Sequence, residues 1–327
     1  MTAFGFLLPT REIVMSQEIP NFLQILDLAE QAEALGFASV WAGDSVLARP
    51  RFEALTTLAA VAARTQRVQL GTAVLLPVLR HPVVLANEVA SLDLIANGRL
   101  ILGVGIGGNN STVAQEFAAC GVSIAHRVGL FEETITLMRR LWTEPEVTFQ
   151  GRYFQVQSAR LGLRPLRKSG VPLWLAGSVD NALRRVLRLG DGWLPISSSP
   201  HAFTADWERL QVFGQEMGRD AQDLHRCLYT TLNVNADVVQ AERELRTFIE
   251  SYYGISYEEQ ARRNGLCAGS AEHCIAWLEA FIAAGAQSIV VRFGSPDQAG
   301  QLVRFARDVL PHVQRGSLPA TRRKSVI

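Results

Sequence analysis

The sequence is poor in the residues that several classes of protein require. Its four cysteines, at positions 120, 227, 267 and 274, lack the close C-x-x-C pairing of a zinc or redox site. Basic and acidic residues number 32 and 31, and the resulting net charge of +1 argues against nucleic acid or an anionic membrane as a partner. No apolar run approaches the roughly 18 residues that span a bilayer. With no recognisable secretory leader, these features predict a cytoplasmic protein with reduced thiols.

The sequence does contain a repeated alternation of apolar strands and amphipathic helices. The clearest unit is residues 68–110, in which apolar runs at 68–76 and 99–106 flank a helical pattern at 82–96. Both runs are apolar at almost every position, as parallel strands covered on both faces are. Glycines interrupt them, as expected where a backbone bends or a ligand comes close. We interpret this segment as a βαβ unit whose strand ends form the floor of a cofactor site.

The same alternation extends over most of the chain. Strands are predicted at residues 4–9, 39–42, 68–76, 99–106, 172–176, 192–196, 227–234 and 288–293. Helices are predicted at residues 18–35, 52–64, 82–96, 113–119, 127–142, 179–189, 203–217, 238–253, 270–284 and 297–309. Eight alternating units predict an α/β protein with a parallel (β/α)8 TIM barrel. An open doubly wound sheet is the alternative, because the pattern does not show whether the sheet closes.

We expect a single barrel domain over residues 1–315 and a C-terminal tail at 316–327. Two segments interrupt the alternation. Residues 146–170 are an excursion after the fourth strand, with a strand pair at 147–153 that turns at Gly151 and an irregular or extended stretch at 154–166. Residues 200–268 form a variable region with an extended insertion near the seventh strand, and the polar segment 256–266 within it fits no element.

In a TIM barrel the functional groups lie at the C-terminal ends of the strands. Here those ends contain no facing pair of carboxylates, no Ser-His-Asp arrangement and no histidine cluster, so no metal site is expected. They are apolar and rich in glycine, which favours a planar cofactor that supplies the chemistry itself. GVGIGG at 103–108 imitates part of a dinucleotide fingerprint, but the acidic residue about 20 positions later is missing, which argues against a Rossmann site.

The segment 174–185, WLAGSVDNALRR, suits a phosphate. Gly177 and Ser178 lie between a strand and a helix N-terminus, where free N–H groups and the helix dipole attract an anion. In the simpler alternative, Gly177 only makes the turn and Ser178 only caps the helix. Arg127 begins another predicted helix and would reach the same anion, unless it is an ordinary solvated arginine.

Taken together, these segments resemble the bacterial luciferase-like family. The similarity is carried by GTAVLLPVLRHPVVLANEVASLDLIANGRLILGVGIGG, HRVGLFEETITLMRRLWTE, VTFQGRYF and PLWLAGSVDNALRRVLRLGDGWLP, and it returns at CAGSAEHCIAWLEAFIAAGAQSIVVRF. Members of that family are (β/α)8 oxidoreductases that use reduced FMN or the 8-hydroxy-5-deazaflavin coenzyme. The resemblance covers most of residues 3–196, whereas residues 200–265 match no feature of the family.

The resemblance implies a set of cofactor-binding positions. They are Ala73, Val74, Gly105, Gly107, Arg127, Gly177, Ser178 and Asn181. A non-prolyl cis peptide bond is implied between Ala73 and Val74, under the central ring of the flavin, with Gly105 and Gly107 beside the ring. The family's phosphate loop matches residues 177–178, with Arg127 as a ligand of the same phosphate and Asn181 at a nearby hydroxyl-or-amide position.

Two positions depart from the family pattern. Many members carry a histidine near the end of the second strand, where this chain has Asp44 and Ser45, and a family arginine after the fourth strand is replaced by Ile106 or Gly107. Asp44 is a candidate for proton transfer in a closed, apolar site, or else it accepts backbone hydrogen bonds and holds its loop. His81 matches a family pattern at a helix start, and we expect it to be structural.

The function predicted from the resemblance is that of a monooxygenase. Reduced FMN, supplied by a separate flavin reductase, would serve the oxygenation of a small organic substrate, and a homodimer is expected. The alternative is a deazaflavin-dependent dehydrogenase or reductase that transfers a hydride and needs no oxygen. A flavin-binding protein without turnover is a third possibility, because acid–base groups are few.

Overall fold

The protein is described here by a computed structural model that covers residues 2–16 and 19–314. The strands are β1 (Ala3–Leu7), β2 (Ser39–Ala42), β3 (Gln69–Leu75), β4 (Leu100–Val104), β5 (Val147–Gln150), β6 (Gln155–Ala159), β7 (Leu173–Leu175), β8 (Gly192–Trp193), β9 (His225–Val234), β10 (Leu266–Gly269) and β11 (Ser288–Phe293). The helices are α1 (Glu12–Ser16), α2 (Leu23–Ala34), α3 (Ala54–Arg64), α4 (Pro82–Ile95), α5 (Ser111–Ala119), α6 (Arg127–Thr143), α7 (Asp180–Leu189), α8 (Pro200–Met217), α9 (Val238–Tyr253), α10 (Tyr257–Ala261), α11 (Ala271–Ala283), α12 (Gln298–Asp308) and α13 (Leu310–Val313).

Eight parallel strands close into a barrel. Their order is β1, β2, β3, β4, β7, β8, β9 and β11, and β11 pairs with β1 to complete the ring. The pairing of β9 with both β8 and β11 leaves no gap on that side. The predicted TIM barrel is therefore confirmed, and the open doubly wound sheet is wrong.

The interior of the barrel is filled by two tryptophans. The rings of Trp41 on β2 and Trp174 on β7 lie 5.5 Å apart between centroids, inside a cluster of buried apolar side chains that is separate from the larger core between strands and helices. Gly71 on β3 makes room for this packing, because an added Cβ would overlap the ring of Trp41. The barrel interior is thus a packed core, and in this fold the functional groups lie at the C-terminal ends of the strands.

A ninth strand lies beside the barrel near the end of β8. The regular part of the predicted strand 192–196 is only Gly192–Trp193, but pairing continues irregularly past Pro195, since the carbonyl of Pro195 accepts the N–H of Tyr229 and Ile196 forms a parallel bridge with Tyr229. Beyond this point β10 pairs with β9, and Gly265 just before β10 donates its N–H to the carbonyl of Ser197 at 2.6 Å. The segment 256–266, which fitted no element in the sequence, contains α10 and the first residue of β10.

The first helix differs from its prediction over residues 18–35. Glu18 lies outside the described residues, α1 precedes it, and α2 begins only at Leu23. Pro20 explains the delay, because the residue before a proline is disfavoured in the helical conformation. The predicted tail at 316–327 also lies outside the described residues.

The excursion after β4 is a hairpin, but it is longer than predicted. β5 pairs antiparallel with β6, so the turn spans 151–154 and begins at the predicted Gly151, and β6 is the extended part of the stretch 154–166. The carboxylate of Glu133 on α6 fixes the turn, since it accepts the backbone N–H groups of Arg152, Tyr153 and Phe154 at 2.7–3.1 Å.

Within the described residues, no helix combines the length and apolar character needed to cross a bilayer.

Candidate active site

The floor of the site is formed where β3 and β4 end. The peptide bond between Ala73 and Val74 is cis, at the predicted position, and both side chains pack on the barrel interior. The pairing of β3 with β4 is irregular between Thr72 and Leu75. Gly105 donates its N–H to the carbonyl of Leu75 at 2.9 Å, and an added Cβ there would lie 2.8 Å from Cγ2 of Val74. A glycine at 105 therefore keeps open the space beside the cis peptide bond, where a flat ring would lie.

Gly107 has a different local role. Its φ of +78° is in the left-handed region that favours glycine, and an added Cβ would lie 2.9 Å from the ring of Phe117. Gly107 therefore lets the chain turn closely over α5. Its contact with the cofactor stays a prediction.

A candidate anion site lies near the N-termini of α6 and α7. Glu132, five residues after Arg127 on α6, forms an ion pair at 3.1 Å with Arg185, five residues after Asp180 on α7, so the two helices pack together near their beginnings. Neither N-terminus has a side-chain cap. The backbone N–H of Arg127 is donated to the carbonyl of Ile124 and that of Ala182 to the carbonyl of Val179, so these two groups are not free for a ligand. A helix N-terminus favours an anion, and the binding of one here stays a prediction.

The side chain of Arg127 also lacks a full set of partners. One Nη donates to the carbonyl of Ile124 at 2.8 Å, whereas Nε is buried and has no hydrogen-bond partner in the described part of the chain. A buried guanidinium N–H without an acceptor is costly, and a phosphate oxygen would satisfy it. That Arg127 binds the same anion as the loop before α7 stays a prediction.

The loop before α7 presents its backbone to the same space. Gly177 has a φ of +132°, and its carbonyl accepts the indole N–H of Trp193 at 2.8 Å. Ser178 is half-buried, and its hydroxyl forms no hydrogen bond with the described residues, so it does not cap α7. Asn181 is exposed in the first turn. These groups are free to bind a phosphate, but their contact with one stays a prediction.

Asp44 is held in a buried ion pair. Its carboxylate accepts two hydrogen bonds from the guanidinium of Arg80, at 2.8 and 3.0 Å, and one from the backbone N–H of Leu76 at 2.9 Å. The side chains of Asp44 and Arg80 are only 2% and 15% exposed. Although burial by itself lowers the pKa of Arg80, its hydrogen bonds to Asp44 and Glu53 raise that pKa above its usual value. The geometry is that of an anchor between the loop after β2 and the end of β3.

The rest of the loop after β2 is fixed by a second carboxylate. Oε1 of Glu116 on α5 accepts the hydroxyl of Ser45 at 2.7 Å and the backbone N–H groups of residues 46–48 at 2.6–3.2 Å. Burial would raise the pKa of Glu116, but these hydrogen bonds outweigh it and lower the pKa. Ser45, which stands where the family often has a histidine, therefore has a structural use here. His81 is likewise structural, since its ring accepts the N–H of Val83 and caps α4.

Replacing Glu116 with glutamine is expected to lower the free energy of unfolding by about 1–3 kcal/mol at pH 7, because three partly buried backbone N–H groups lose a charged acceptor. A carboxylate whose pKa is lowered in the folded state stabilises the protein above its unfolded pKa of about 4.3, and this contribution disappears as the pH falls through the lower folded value. Urea unfolding at pH 7 and at pH 4 measures both effects. Glu144→Gln is the control, because Glu144 pairs with Arg140 on the surface. Equal effects of the two substitutions would contradict the anchoring role.

The sequence analysis missed a cluster of arginines and tyrosines at the barrel mouth. We call it the arginine–tyrosine cluster, and it comprises Arg11, Glu12, Arg49, Arg51, Tyr229, Tyr252, Tyr253 and Arg292. Arg292, at the end of β11, is 1% exposed and lies 4.5 Å from the ring centroid of Tyr252 and 5.1 Å from that of Tyr253. The one local signal was an arginine inside the apolar run IVVRF, since an unpaired charge is rarely buried without a reason.

The electrostatics of the cluster are unusual. Burial raises the pKa of Glu12, although Arg292 and Arg51 oppose that shift. Burial also raises the pKa of Tyr229. For Arg292, burial alone would lower the pKa, but the tyrosines around it and Glu12 raise it. Glu12 is therefore a carboxyl group that holds its proton at a higher pH than an ordinary glutamate does.

A cleft of about 830 Å³ opens beside the cluster, between α2, α9 and the loop after β11. Phe248 and Tyr252 belong both to this cleft and to the rings around Arg292. None of the predicted cofactor-binding residues lines it. The cleft therefore adjoins the site but is not the place where the cis peptide bond and the anion site meet.

Together, the fold and these contacts describe a TIM barrel with a cis peptide bond at the end of β3 and a candidate anion site near two helix N-termini. The model of the luciferase-like monooxygenase family matches residues 2–304, and the chain belongs to this family. It is therefore an oxidoreductase.

Curated relatives match over most of the chain. The F420-dependent glucose-6-phosphate dehydrogenase of Amycolatopsis mediterranei (strain U-32) is 28% identical over 320 residues, which cover 89% of this chain and 94% of the relative. The enzyme of the same name from Nakamurella multipartita (strain Y-104) is 32% identical over 233 residues, covering 68% and 67% of the two chains.

Solved structures share the fold. An F420-dependent secondary alcohol dehydrogenase in complex with an F420-acetone adduct has a TM-score of 0.82 at 22% identity, with 95% of this chain and 99% of that chain covered. Monooxygenase RslO1 from Streptomyces bottropensis has a TM-score of 0.81 at 23% identity, with the same coverage. Since the two structures differ in their named activity, this likeness concerns the fold alone.

Proposed function

We propose that the protein is a deazaflavin-dependent dehydrogenase or reductase that acts on a small organic substrate. The observation that supports this most strongly is the similarity, over 89% of the chain, to an F420-dependent dehydrogenase. It favours the hydride-transferring alternative over the FMN-dependent monooxygenase, which the resemblance alone put first. Both cofactors carry a tricyclic ring and a phosphate, so the same residues would serve either one.

The described residues fit such a coenzyme. The cis peptide bond and Gly105 leave a flat space for the ring, and the buried Nε of Arg127 needs an acceptor that a phosphate provides. Gly177 and Ser178 would add backbone and hydroxyl donors. When bound, the coenzyme supplies the carbon that accepts or donates a hydride.

The protein's own residues then have three tasks. The packed tryptophans close the barrel below the site and exclude water from that side. Arg80 and Asp44 hold the loop after β2 in place. We assign proton transfer to Glu12, which follows β1, has Arg51 and Arg292 as electrostatic neighbours and has its pKa raised by burial, whereas the carboxylate of Asp44 is held by Arg80 and by the N–H of Leu76.

Equilibrium binding tests the proposal directly. The full chain is titrated with the deazaflavin coenzyme and with FMN, each oxidised and reduced, and we expect the deazaflavin to bind more tightly. Anaerobic addition of candidate alcohols should then change the absorbance of the bound coenzyme. Binding of FMN alone, with oxygen uptake that depends on an organic substrate and an added flavin reductase, would instead establish the monooxygenase. Oxygen uptake that responds to no organic compound would indicate a flavin-binding protein without turnover.

A further inference from the structure

The arginine–tyrosine cluster carries more positive charge than its own residues neutralise. It contains four arginines and one carboxylate, that of Glu12. The hydrogen bonds of its guanidinium groups go to neutral acceptors, which are Sδ of Met15, the carbonyl of Arg49, the hydroxyl of Tyr252 and the hydroxyl of Thr231. Buried guanidinium groups are ordinarily paired with carboxylates, so this cluster lacks anions.

The guanidinium groups also have unused donors. Nη1 of Arg11 is buried and has no hydrogen-bond partner among the described residues. Arg292 donates only to the hydroxyl of Thr231, from Nε at 3.2 Å and from Nη2 at 3.0 Å. Burial lowers the pKa of Arg11, and the neighbouring Arg51 and Arg49 add to that effect. A bound anion would remove both the repulsion and the missing hydrogen bonds.

The cluster faces the space above the cofactor floor. Arg292 follows Val290 by two residues on β11, and Val290 belongs to the barrel interior, so both lie on the inner face. The guanidinium of Arg51 lies beside Gly43, in the space that a Cβ added to Gly43 would occupy. That Cβ position is 3.8 Å from the carbonyl oxygen of Ala73, which belongs to the cis peptide bond. The anion site formed by α6 and α7 involves none of these residues and is a separate feature. A second anion would therefore bind on the substrate side of the ring.

The walls of the cluster indicate what the anion is attached to. Tyr229, Phe248, Tyr252 and Tyr253 surround Arg292 with ring centroids 4.5–5.8 Å from its guanidinium carbon. Aromatic rings around the site favour a substrate whose body is apolar. Glu12 is the one carboxylate of the cluster that could accept hydrogen bonds from hydroxyl groups of a substrate.

We propose that the arginine–tyrosine cluster binds the acid group of the substrate, and that this substrate is a small aryl or alkyl acid. Arg292 and Arg51 are the anchoring residues, with Arg11 as a further donor. This inference rests on the proposed function, because it assigns the substrate class of the same site. It departs from the sugar phosphate named for the curated relatives.

Calorimetric titration of the full chain, with and without deazaflavin coenzyme, tests the acid site. The probes are benzoate, its neutral counterpart benzyl alcohol, and glucose 6-phosphate. We expect benzoate to bind at least about tenfold more tightly than benzyl alcohol, because charged hydrogen bonds contribute enough free energy for such a ratio. Arg292→Met and Arg51→Gln should each raise the dissociation constant of benzoate about tenfold, with coenzyme affinity unchanged. Because Arg51 is less buried than Arg292, the Arg51→Gln variant still tests benzoate binding if the loss of Arg292 unfolds the chain.

Arg246→Met is the matched control. Arg246 lies on α9, over the ring of Tyr257 and paired with Glu258 on the surface, and its loss should leave benzoate binding unchanged. Equal binding of benzoate and benzyl alcohol would overturn the proposal, and so would an Arg51→Gln variant that loses affinity for the coenzyme but not for benzoate. Tighter binding of glucose 6-phosphate than of benzoate would contradict the proposal that the acid group of the substrate is attached to an apolar aryl or alkyl body. If the protein binds FMN but not the deazaflavin coenzyme, and benzoate binding still depends on Arg292, the proposed function is refuted and the acid-binding site is supported.

Discussion

Replacing Arg127 with alanine should raise the dissociation constant of the coenzyme by about 10- to 100-fold. A charge-assisted hydrogen bond contributes roughly 1.5–3 kcal/mol, and each 1.4 kcal/mol is a factor of ten in affinity. Without a ligand the guanidinium of Arg127 has one partner, the carbonyl of Ile124, and its buried Nε has none among the described residues. The folded protein therefore loses little when the side chain is removed, and the effect should fall on binding alone.

Fluorescence titration with the coenzyme measures this effect, and urea unfolding verifies that the fold is intact. Arg140→Ala is the matched control, since Arg140 lies near the other end of α6 and pairs with Glu144 on the surface. We expect the control to bind the coenzyme as the natural chain does. If the two variants bound equally well, Arg127 would not be a phosphate ligand, and the N-terminus of α7 with Ser178 would be the remaining candidate.

The parts of the fold that follow from local patterns were predictable. Eight apolar strands are visible because a parallel strand covered on both faces must be apolar at nearly every position. The position of the cis peptide bond at Ala73 and Val74 followed from the resemblance to the luciferase-like family. Neither depends on which distant residues meet in the folded chain, so both could be stated from the sequence.

The parts that failed depend on tertiary contacts. The hairpin of β5 and β6 turns from Gly151, as predicted, but its second strand reaches Ala159, and the contact of Glu133 with three N–H groups of the turn could not be read from the hairpin itself. The members of the arginine–tyrosine cluster come from the segment after β1, the loop after β2, the strands β9 and β11, and the end of α9. Barrel closure brings together the segments after β1 and β2 and the end of β11, whereas Tyr229 lies within β9 and Tyr252 and Tyr253 end a helix, so their position depends on how that helix packs. Arg292 alone was visible as a charge in an apolar run, and its ring neighbours were not.

Replacing Arg80 with methionine is expected to lower the free energy of unfolding by about 3–5 kcal/mol, because it leaves the carboxylate of Asp44 buried without its cation. The Asp44 side chain is 2% exposed, so water cannot replace the lost guanidinium without moving the loop. The backbone N–H of Leu76 alone would then satisfy the carboxylate. Urea unfolding of Arg80→Met measures the loss, and Arg64→Met is the control, since its ion pair with Glu30 is solvent-exposed on both sides.

Adding Asp44→Asn to the Arg80 variant separates the two roles of Asp44. An anchoring carboxylate predicts that the double variant recovers part of the lost stability, because asparagine is neutral and leaves no buried unpaired charge. It also predicts that Asp44→Asn alone lowers stability and weakens coenzyme binding, while the pH dependence of the remaining turnover is unchanged. A proton carrier predicts the reverse, with stability retained and turnover lost together with one limb of the pH profile. The bidentate contact with Arg80 favours the anchor, because a carboxylate that gives up this pairing to accept a proton must also release the end of β3 on which the cis peptide bond rests.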